Sequence, residues 1–220
     1  MSIQESLTKV NASLPKNVTL VAVSKTKPDT AVKEAYEVGQ RIFGENKVQE
    51  MVGKWERLPK DIEWHMIGHL QRNKVKYIVD FVSLIHGVDS LKLLKEINKR
   101  AKKSNRIVNC LFQIHIAEED TKFGLDRFEL FDIIGSTEFA QLEHIKIVGL
   151  MGMATFTDNT NQIRKEFKNL KSLFEELKTQ LPSISTLSMG MSGDYRIAIE
   201  EGSTMVRIGS SIFGERIYNQ

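Results

Sequence analysis

One cysteine, Cys110, is all the thiol in this chain of 220 residues, so an internal disulfide is excluded. Set in the apolar run from Ile107 to Ile116, Cys110 reads as a small buried hydrophobe rather than a nucleophile. Prolines number four, and Pro15, Pro28, Pro59 and Pro182 all fall where one element gives way to the next. No apolar run is long enough for a membrane span, and the opening stretch MSIQESLTKVNASL has no signal-peptide core; a cytoplasmic location is expected. The net charge of +3 is too small to point to nucleic acid. The basic cluster Lys92, Lys95, Lys99, Arg100, Lys102, Lys103 and Arg106 lacks interleaved aromatics, and reads as the solvated face of a helix. Also missing is a glycine-rich dinucleotide fingerprint after the first strand.

What is present is an alternation. Hydrophobic content of 41% and charged content of 27% suit a globular domain, and no linker or low-complexity stretch divides residues 1–220. A helix is expected from Ser2 to Leu14, then a strand from Thr19 to Ser24. A helix follows from Pro28 to Gly39, a strand over Arg41–Gly44 and a helix from Glu45 to Arg57. Strands over Glu63–Gly68, Val82–His86 and Ile107–Ile116 are separated by helices over Gln71–Val79 and from Asp89 or Ser90 onward. After a loop at Thr121–Gly124 come a helix within Arg127–Leu142 and a strand at Ile145–Leu150. The clearest helix carries Ile163, Phe167, Leu170, Leu173, Phe174 and Leu177 on one face. Strands at Ser185–Met189 and Met205–Ile208 flank a short helix that ends near Glu201. Buried strands alternating with amphipathic helices predict a parallel sheet, and eight such units predict the α/β fold of a closed (β/α)8 TIM barrel; an open doubly wound sheet is the alternative.

The stretch Leu20-Val21-Ala22-Val23-Ser24-Lys25 organises the functional reading. Alternation puts Val21, Val23 and Lys25 on one face, so the Lys25 amine tops an apolar strand. Poor hydration there favours a neutral amine, a nucleophile toward an aldehyde; the bland alternative is a solvated strand-end lysine. In such a barrel the loops after strands seven and eight often hold phosphate. Here these are Ser192-Gly193-Asp194 and Gly209-Ser210-Ser211, each of which can also be an ordinary turn. Closure of the barrel makes the last strand a neighbour of the first, and a phosphorylated aldehyde would satisfy both ends. Pyridoxal 5′-phosphate is the commonest cofactor of that description. Arg207 can face its ring nitrogen, where a permanent cation disfavours protonation and weakens the ring as an electron sink; the alternative is a paired charge at the barrel end. His65 and His69 are spaced like helical zinc ligands but fall on a strand and its exit, without a third ligand nearby.

The motifs VAVSKTKP, FGENKVQE, WHMIGHLQRNK, GLMGMAT and LSMGMSGDYRIAIEEGSTMVRIGSSIFGER resemble the pyridoxal phosphate homeostasis proteins from Val21 to Arg216. The resemblance implies a single alanine racemase-like barrel that carries pyridoxal phosphate as a Schiff base on Lys25. It also implies Ser192, Gly209 and Ser210 at the phosphate, Arg207 by the pyridine nitrogen, and Asn46, His65 and Met189 among the cofactor's neighbours. Three positions depart from the family: Lys47 stands where Tyr is frequent, Gly87 where Ser is, and Ser210 where Thr is. The last keeps its hydroxyl. The implied function is a cytoplasmic carrier in vitamin B6 homeostasis that is not an enzyme and hands its cofactor to apoenzymes. A monomer is expected, with neither nucleic acid nor membrane as partner. A racemase on the same barrel is the alternative, but racemases of this fold draw a second acid/base tyrosine from a further β-rich domain, and this chain stops at Gln220. A sugar-phosphate lyase using Lys25 directly is a third class.

Overall fold

The computed structural model describes residues 2–119 and 123–215. Eight parallel strands close into a barrel in chain order: β1 (Thr19–Val23), β2 (Ile42–Glu45), β3 (Glu63–Met66), β4 (Leu84–Val88), β5 (Val108–Ile114), β6 (Ile145–Gly152), β7 (Thr186–Ser188) and β8 (Met205–Ile208). The ring is sealed by β1 against β8, with Thr19, Leu20, Val21 and Ala22 opposite Met205, Val206, Arg207 and Ile208. The closed barrel is the expected fold, and the open sheet is set aside.

Helices α1 (Ile3–Ser13), α2 (Asp29–Glu37), α3 (Val48–Arg57), α4 (Leu91–Lys103), α5 (Arg127–Gly135), α6 (Thr137–Ala140), α7 (Thr160–Lys178), α8 (Tyr195–Glu200) and α9 (Ser210–Phe213) run between and around the strands. Most form where hydrophobic period and caps agree. In α1, Ser2 accepts from the Glu5 N–H at 3.1 Å while Glu5 accepts from the Ser2 N–H at 3.0 Å, a reciprocal cap that Ser-x-x-Glu encodes. Elsewhere local chemistry redraws the expected bounds. Glu45 ends β2 instead of opening α3. The segment at Gln71–Val79 winds as a tighter 3₁₀ helix over Arg72–Tyr77. The helix expected within Arg127–Leu142 breaks at Ser136, whose hydroxyl donates to Ile133 O at 2.6 Å and accepts from Phe139 N at 3.2 Å, closing α5 and opening α6. α9 lies in the stretch read as a phosphate loop. The expected loop residues Thr121 and Lys122, and Arg216 at the end of the last motif, lie outside the described residues.

Two apolar bodies result. Outward-facing Phe43, Trp64, Phe112 and Leu150 pack under the helices with Phe167 and Leu170 of α7. Inward-facing Val21, Leu84, Leu111, Met151 and Met205 fill the barrel. Cys110 belongs to the first body, where burial pushes its thiol up out of reach of ionisation. Among the described residues no helix is long and apolar enough to cross a membrane.

The β6–β7 seam depends on a missing side chain. A Cβ on Gly149 would lie 1.6 Å from Thr186 O, a backbone atom that cannot step aside, whereas a Cβ on Gly135 meets nothing within 4 Å. Gly149→Ala is expected to cost about 3 kcal/mol or more through forced separation of the two strands. Gly135→Ala, at the end of α5, is expected to be neutral or to gain up to ~1 kcal/mol. Urea unfolding of both variants checks the contrast, and equal stabilities would contradict it.

Candidate functional site

The carboxyl ends of the strands open onto a cleft of about 560 Å³, and the segments after β1, β2, β6, β7 and β8 all reach it. Lys25, Asn46, Ser192, Arg207, Gly209 and Ser210 line it together, with Val23 and Met153 among the apolar walls. The period-two reading of β1 holds: Val21 is inside the barrel, and Val23 and Lys25 follow it up to the cleft floor. Lys25 is half-buried there. A second lysine, Lys27, also lines the cleft, but its ammonium donates to the carbonyls of Phe213, Gly214 and Glu215 at 2.8, 3.0 and 3.1 Å. All three of its hydrogens are thereby engaged at the end of α9.

Asn46 follows β2 and packs on Gly68, where a Cβ would come within 2.4 Å of both Asn46 O and Oδ1. Opposite, the hydroxyl of Ser192 accepts from Gly209 N at 3.3 Å and Ser211 N at 3.5 Å. These are longer than ordinary N–H···O bonds, so two backbone donors converge on one weakly held oxygen. Such a pair, with the Ser192 and Ser210 hydroxyls, suits an anion with several acceptor oxygens.

Arg207 projects inward from β8, 3% exposed. Its Nη1 donates to Ser188 O at 2.9 Å and Ser188 Oγ at 2.7 Å, and its Nη2 to Gly152 O at 3.1 Å. These bonds all end on neutral oxygens, while the Asp194 carboxylate is close enough to act on the guanidinium as a countercharge. From Ser188 the row continues: Ser188 Oγ lies 3.1 Å from His86 Nδ1, and His86 Nε2 lies 3.1 Å from His65 Nδ1. A guanidinium only donates, so Ser188 Oγ accepts from it, and the arrangement that also uses the hydroxyl hydrogen has it donate to His86 Nδ1. His86 then carries its proton on Nε2 and donates to His65 Nδ1, leaving the His65 proton on Nε2. In that arrangement both rings are neutral Nε2–H tautomers. Burial lowers the Arg207 pKa to about 10. Burial also lowers His65 to about 3, and burial with His65 and Arg207 alongside drives His86 well below its usual value.

Two expected site residues do not reach the cleft. Met189 is fully buried in the outer core beneath the helices, because its place one residue beyond Ser188 turns it to the opposite face. His65 is buried on β3 and does not line the cleft, and its Nδ1 bonds to His86. His69 lies apart, stacked on Phe123 at 4.4 Å and 3.2 Å from Asp89. Among the described residues no group of three His, Cys, Asp or Glu is placed to hold a metal ion. Lys47 is exposed and caps α3 without lining the cleft. Sequence reading missed Ser188 and His86, which it treated as strand and packing residues. Their inward positions on β7 and β4 were the available signal.

The alanine racemase N-terminal domain model matches residues 2–217. Over 201 residues the chain is 42% identical to the pyridoxal phosphate homeostasis protein of Aquifex aeolicus, covering 90% of this chain and 87% of that one. The Escherichia coli K12 protein of the same name is 39% identical over 210 residues, 94% of this chain and 89% of that one. The chain belongs to the pyridoxal phosphate homeostasis proteins. The structure of PipY from Synechococcus elongatus with PLP bound superposes with a TM-score of 0.89 at 35% identity, covering 97% of this chain and all of that one. An alanine racemase from Clostridium difficile shares the fold at 15% identity, with a TM-score of 0.79 over 99% of this chain and 58% of that one.

The buried histidines set a pH dependence. An unfolded histidine titrates near 6.5, whereas folded His65 titrates near 3, so below about 6.5 the unfolded chain takes up protons that the folded one refuses. Stability therefore falls as pH drops from 6.5 toward 3, by about 1.4 kcal/mol per pH unit for His65, and His86 adds a loss of the same sign. Urea unfolding at pH 7 and pH 5 should show this loss, and His65→Gln, which keeps an acceptor for His86, should remove one histidine's share. A stability flat across that interval would contradict the arrangement.

Proposed function

We propose that this protein is an intracellular carrier of pyridoxal 5′-phosphate that holds the cofactor on Lys25 and releases it to apoenzymes, without robust catalysis of its own. The observation that carries this reading is the convergence in one cleft of an amine, a guanidinium and a hydroxyl-and-amide cradle. Each suits a different part of the cofactor. Ser192, Gly209, Ser210 and the Ser211 N–H would hold the phosphate, Arg207 the ring nitrogen, and Asn46 the polar edge of the ring. When bound, the cofactor supplies an aldehyde, which condenses reversibly with a primary amine and releases water. Lys25 supplies that amine, while Lys27 is occupied with the end of α9.

Arg207 argues for holding rather than turnover. It is charged at neutral pH, being lowered only to about 10. Its two Nη atoms are already tied to Ser188 and Gly152. Such a group keeps its proton and offers the ring nitrogen none to take, so the ring stays a poor sink for electrons. The curated relatives carry the name of homeostasis proteins, and PipY is solved with PLP bound; both support the carrier reading.

Incubated with pyridoxal phosphate, the purified protein should gain a visible band that borohydride bleaches, with the reduced label mapping to Lys25 and lost in Lys25→Ala. Arg207→Glu should alter the band and its pH titration, since a carboxylate favours a protonated ring nitrogen. Loaded protein should restore activity to an apoenzyme, and chiral analysis of an amino-acid panel should show no conversion at ordinary enzymatic rates. A label elsewhere, or rapid racemisation of any amino acid, overturns the proposal.

A further inference from the structure

Behind the cleft lies a charged cluster with no part in the site as described so far. Lys54 of α3 is 3% exposed and Glu45 at the end of β2 is 0% exposed, yet both are ionisable. Burial pushes the Glu45 carboxyl up while the Lys54 ammonium pulls it down, and among the described residues Glu45 Oε2 has no hydrogen-bond partner. An ion pair so completely desolvated is a poor source of net stability, and a hydrophobic pair of similar volume often does as well. Its bonds show what else it does.

The Lys54 ammonium has three hydrogens, and each has an acceptor: Ser24 O at 2.7 Å, Glu45 Oε1 at 2.7 Å and Glu50 Oε1 at 2.8 Å. The Ser24 hydroxyl donates to Glu45 Oε1 at 2.6 Å, and Thr26 N donates to Glu50 Oε1 at 2.5 Å. Ser24 O belongs to the peptide group before Lys25, and Thr26 N to the peptide group after it. Both planes that meet at the Lys25 Cα are thus held by one cluster. Two fixed peptide planes leave the Cα–Cβ direction of Lys25 no freedom.

The second of those planes is held in an unfavourable state. Thr26 has φ +65°, a left-handed conformation that a β-branched residue rarely adopts. Two bonds over-determine it: Lys27 N donates to Ser24 O at 3.0 Å to close a turn around it, and the Thr26 N–H itself donates to the Glu50 carboxylate. Neither Glu45, Glu50 nor Lys54 lines the cleft, so none can touch a ligand there.

We propose that Lys54 and Glu50, backed by Glu45, are positioning residues for Lys25, clamping the peptide groups on either side of it so that its amine is aimed at the aldehyde of a bound pyridoxal phosphate. The inference rests on the reading of Lys25 given above. It deepens that reading by assigning the aim of the amine to charges on the far side of the strand.

The test compares two ligands with the same ring and phosphate: pyridoxal 5′-phosphate and pyridoxine 5′-phosphate, which has an alcohol in place of the aldehyde. Both are titrated into the full chain. Glu50→Ala should weaken the aldehyde about tenfold, the scale of one released backbone strain, and leave the alcohol within about twofold. Adding Thr26→Gly should restore the aldehyde to within about threefold of wild type, because glycine adopts the left-handed state without help. Glu50→Gln, which keeps an oxygen for the Thr26 N–H but gives up the charge that faces Lys54, should lose less than Glu50→Ala and serves as the readout if the alanine variant does not fold. Equal weakening of both ligands, an unchanged aldehyde preference, or no rescue by Thr26→Gly overturns the clamp. A wild-type protein that binds the alcohol as tightly as the aldehyde overturns the Lys25 reading itself, and the clamp with it.

Discussion

The site depends on the pairing of the first strand with the last. Val21 lies opposite Arg207 in that seam, and two residues further along each strand the chain reaches the cleft on one side and the serine-glycine loop on the other. Neither end holds the parts of a site alone. Lys25 without β8 is an amine at the end of a strand, and Gly209-Ser210-Ser211 without β1 is a turn before a one-turn helix. Closure of eight parallel strands in chain order converts a separation of more than 180 residues in sequence into adjacency in space.

A second constraint runs through the barrel interior. Most inward positions are apolar, and the row Arg207, Ser188, His86 and His65 is an interruption that every member must help to satisfy. Arg207 anchors it by donating to Ser188 and Gly152. Burial keeps the two histidines neutral, so the row holds one buried cation rather than several. A charged Arg207 at the cleft and two titration-resistant histidines thus share one hydrogen-bonded row.

The fold was legible because period and punctuation agree along most of the chain. α7 shows its stripe from Ile163 to Leu177, and the four prolines mark boundaries that the structure keeps. Limits failed where a side chain, not a period, decides them: Ser136 breaks one expected helix, and Glu45 was assigned to a helix although its carboxylate is spent on Ser24 and Lys54. The cleft was legible for a different reason. Lys25, Ser192 and Gly209 stand at strand ends, and in a barrel strand ends share one rim. His65 and Met189 came from resemblance alone, and strand parity turns Met189 outward. The Lys54 cluster left no sequence signal, since a lysine in the last turn of an amphipathic helix looks like any solvated one; only its neighbours across the sheet distinguish it.

On the proposed reading, the two faces of the barrel wall do different work at the same residue. The inner face presents the Lys25 side chain to the cleft, and the outer face fixes its backbone through the buried Lys54 and the partly exposed Glu50 of α3. Separating the two has a physical advantage. A cation placed inside the cleft to hold Lys25 would compete for the phosphate, whereas a cation behind the strand can grip the peptide and have its charge answered locally by Glu45 and Glu50. The cleft mouth stays open, with Phe156 at its edge 96% exposed. A carrier must both take up and surrender its cargo, so the rigidity is needed at the amine and not at the entrance. The strain at Thr26, the answered charges behind it and the uncovered rim are consistent with that division.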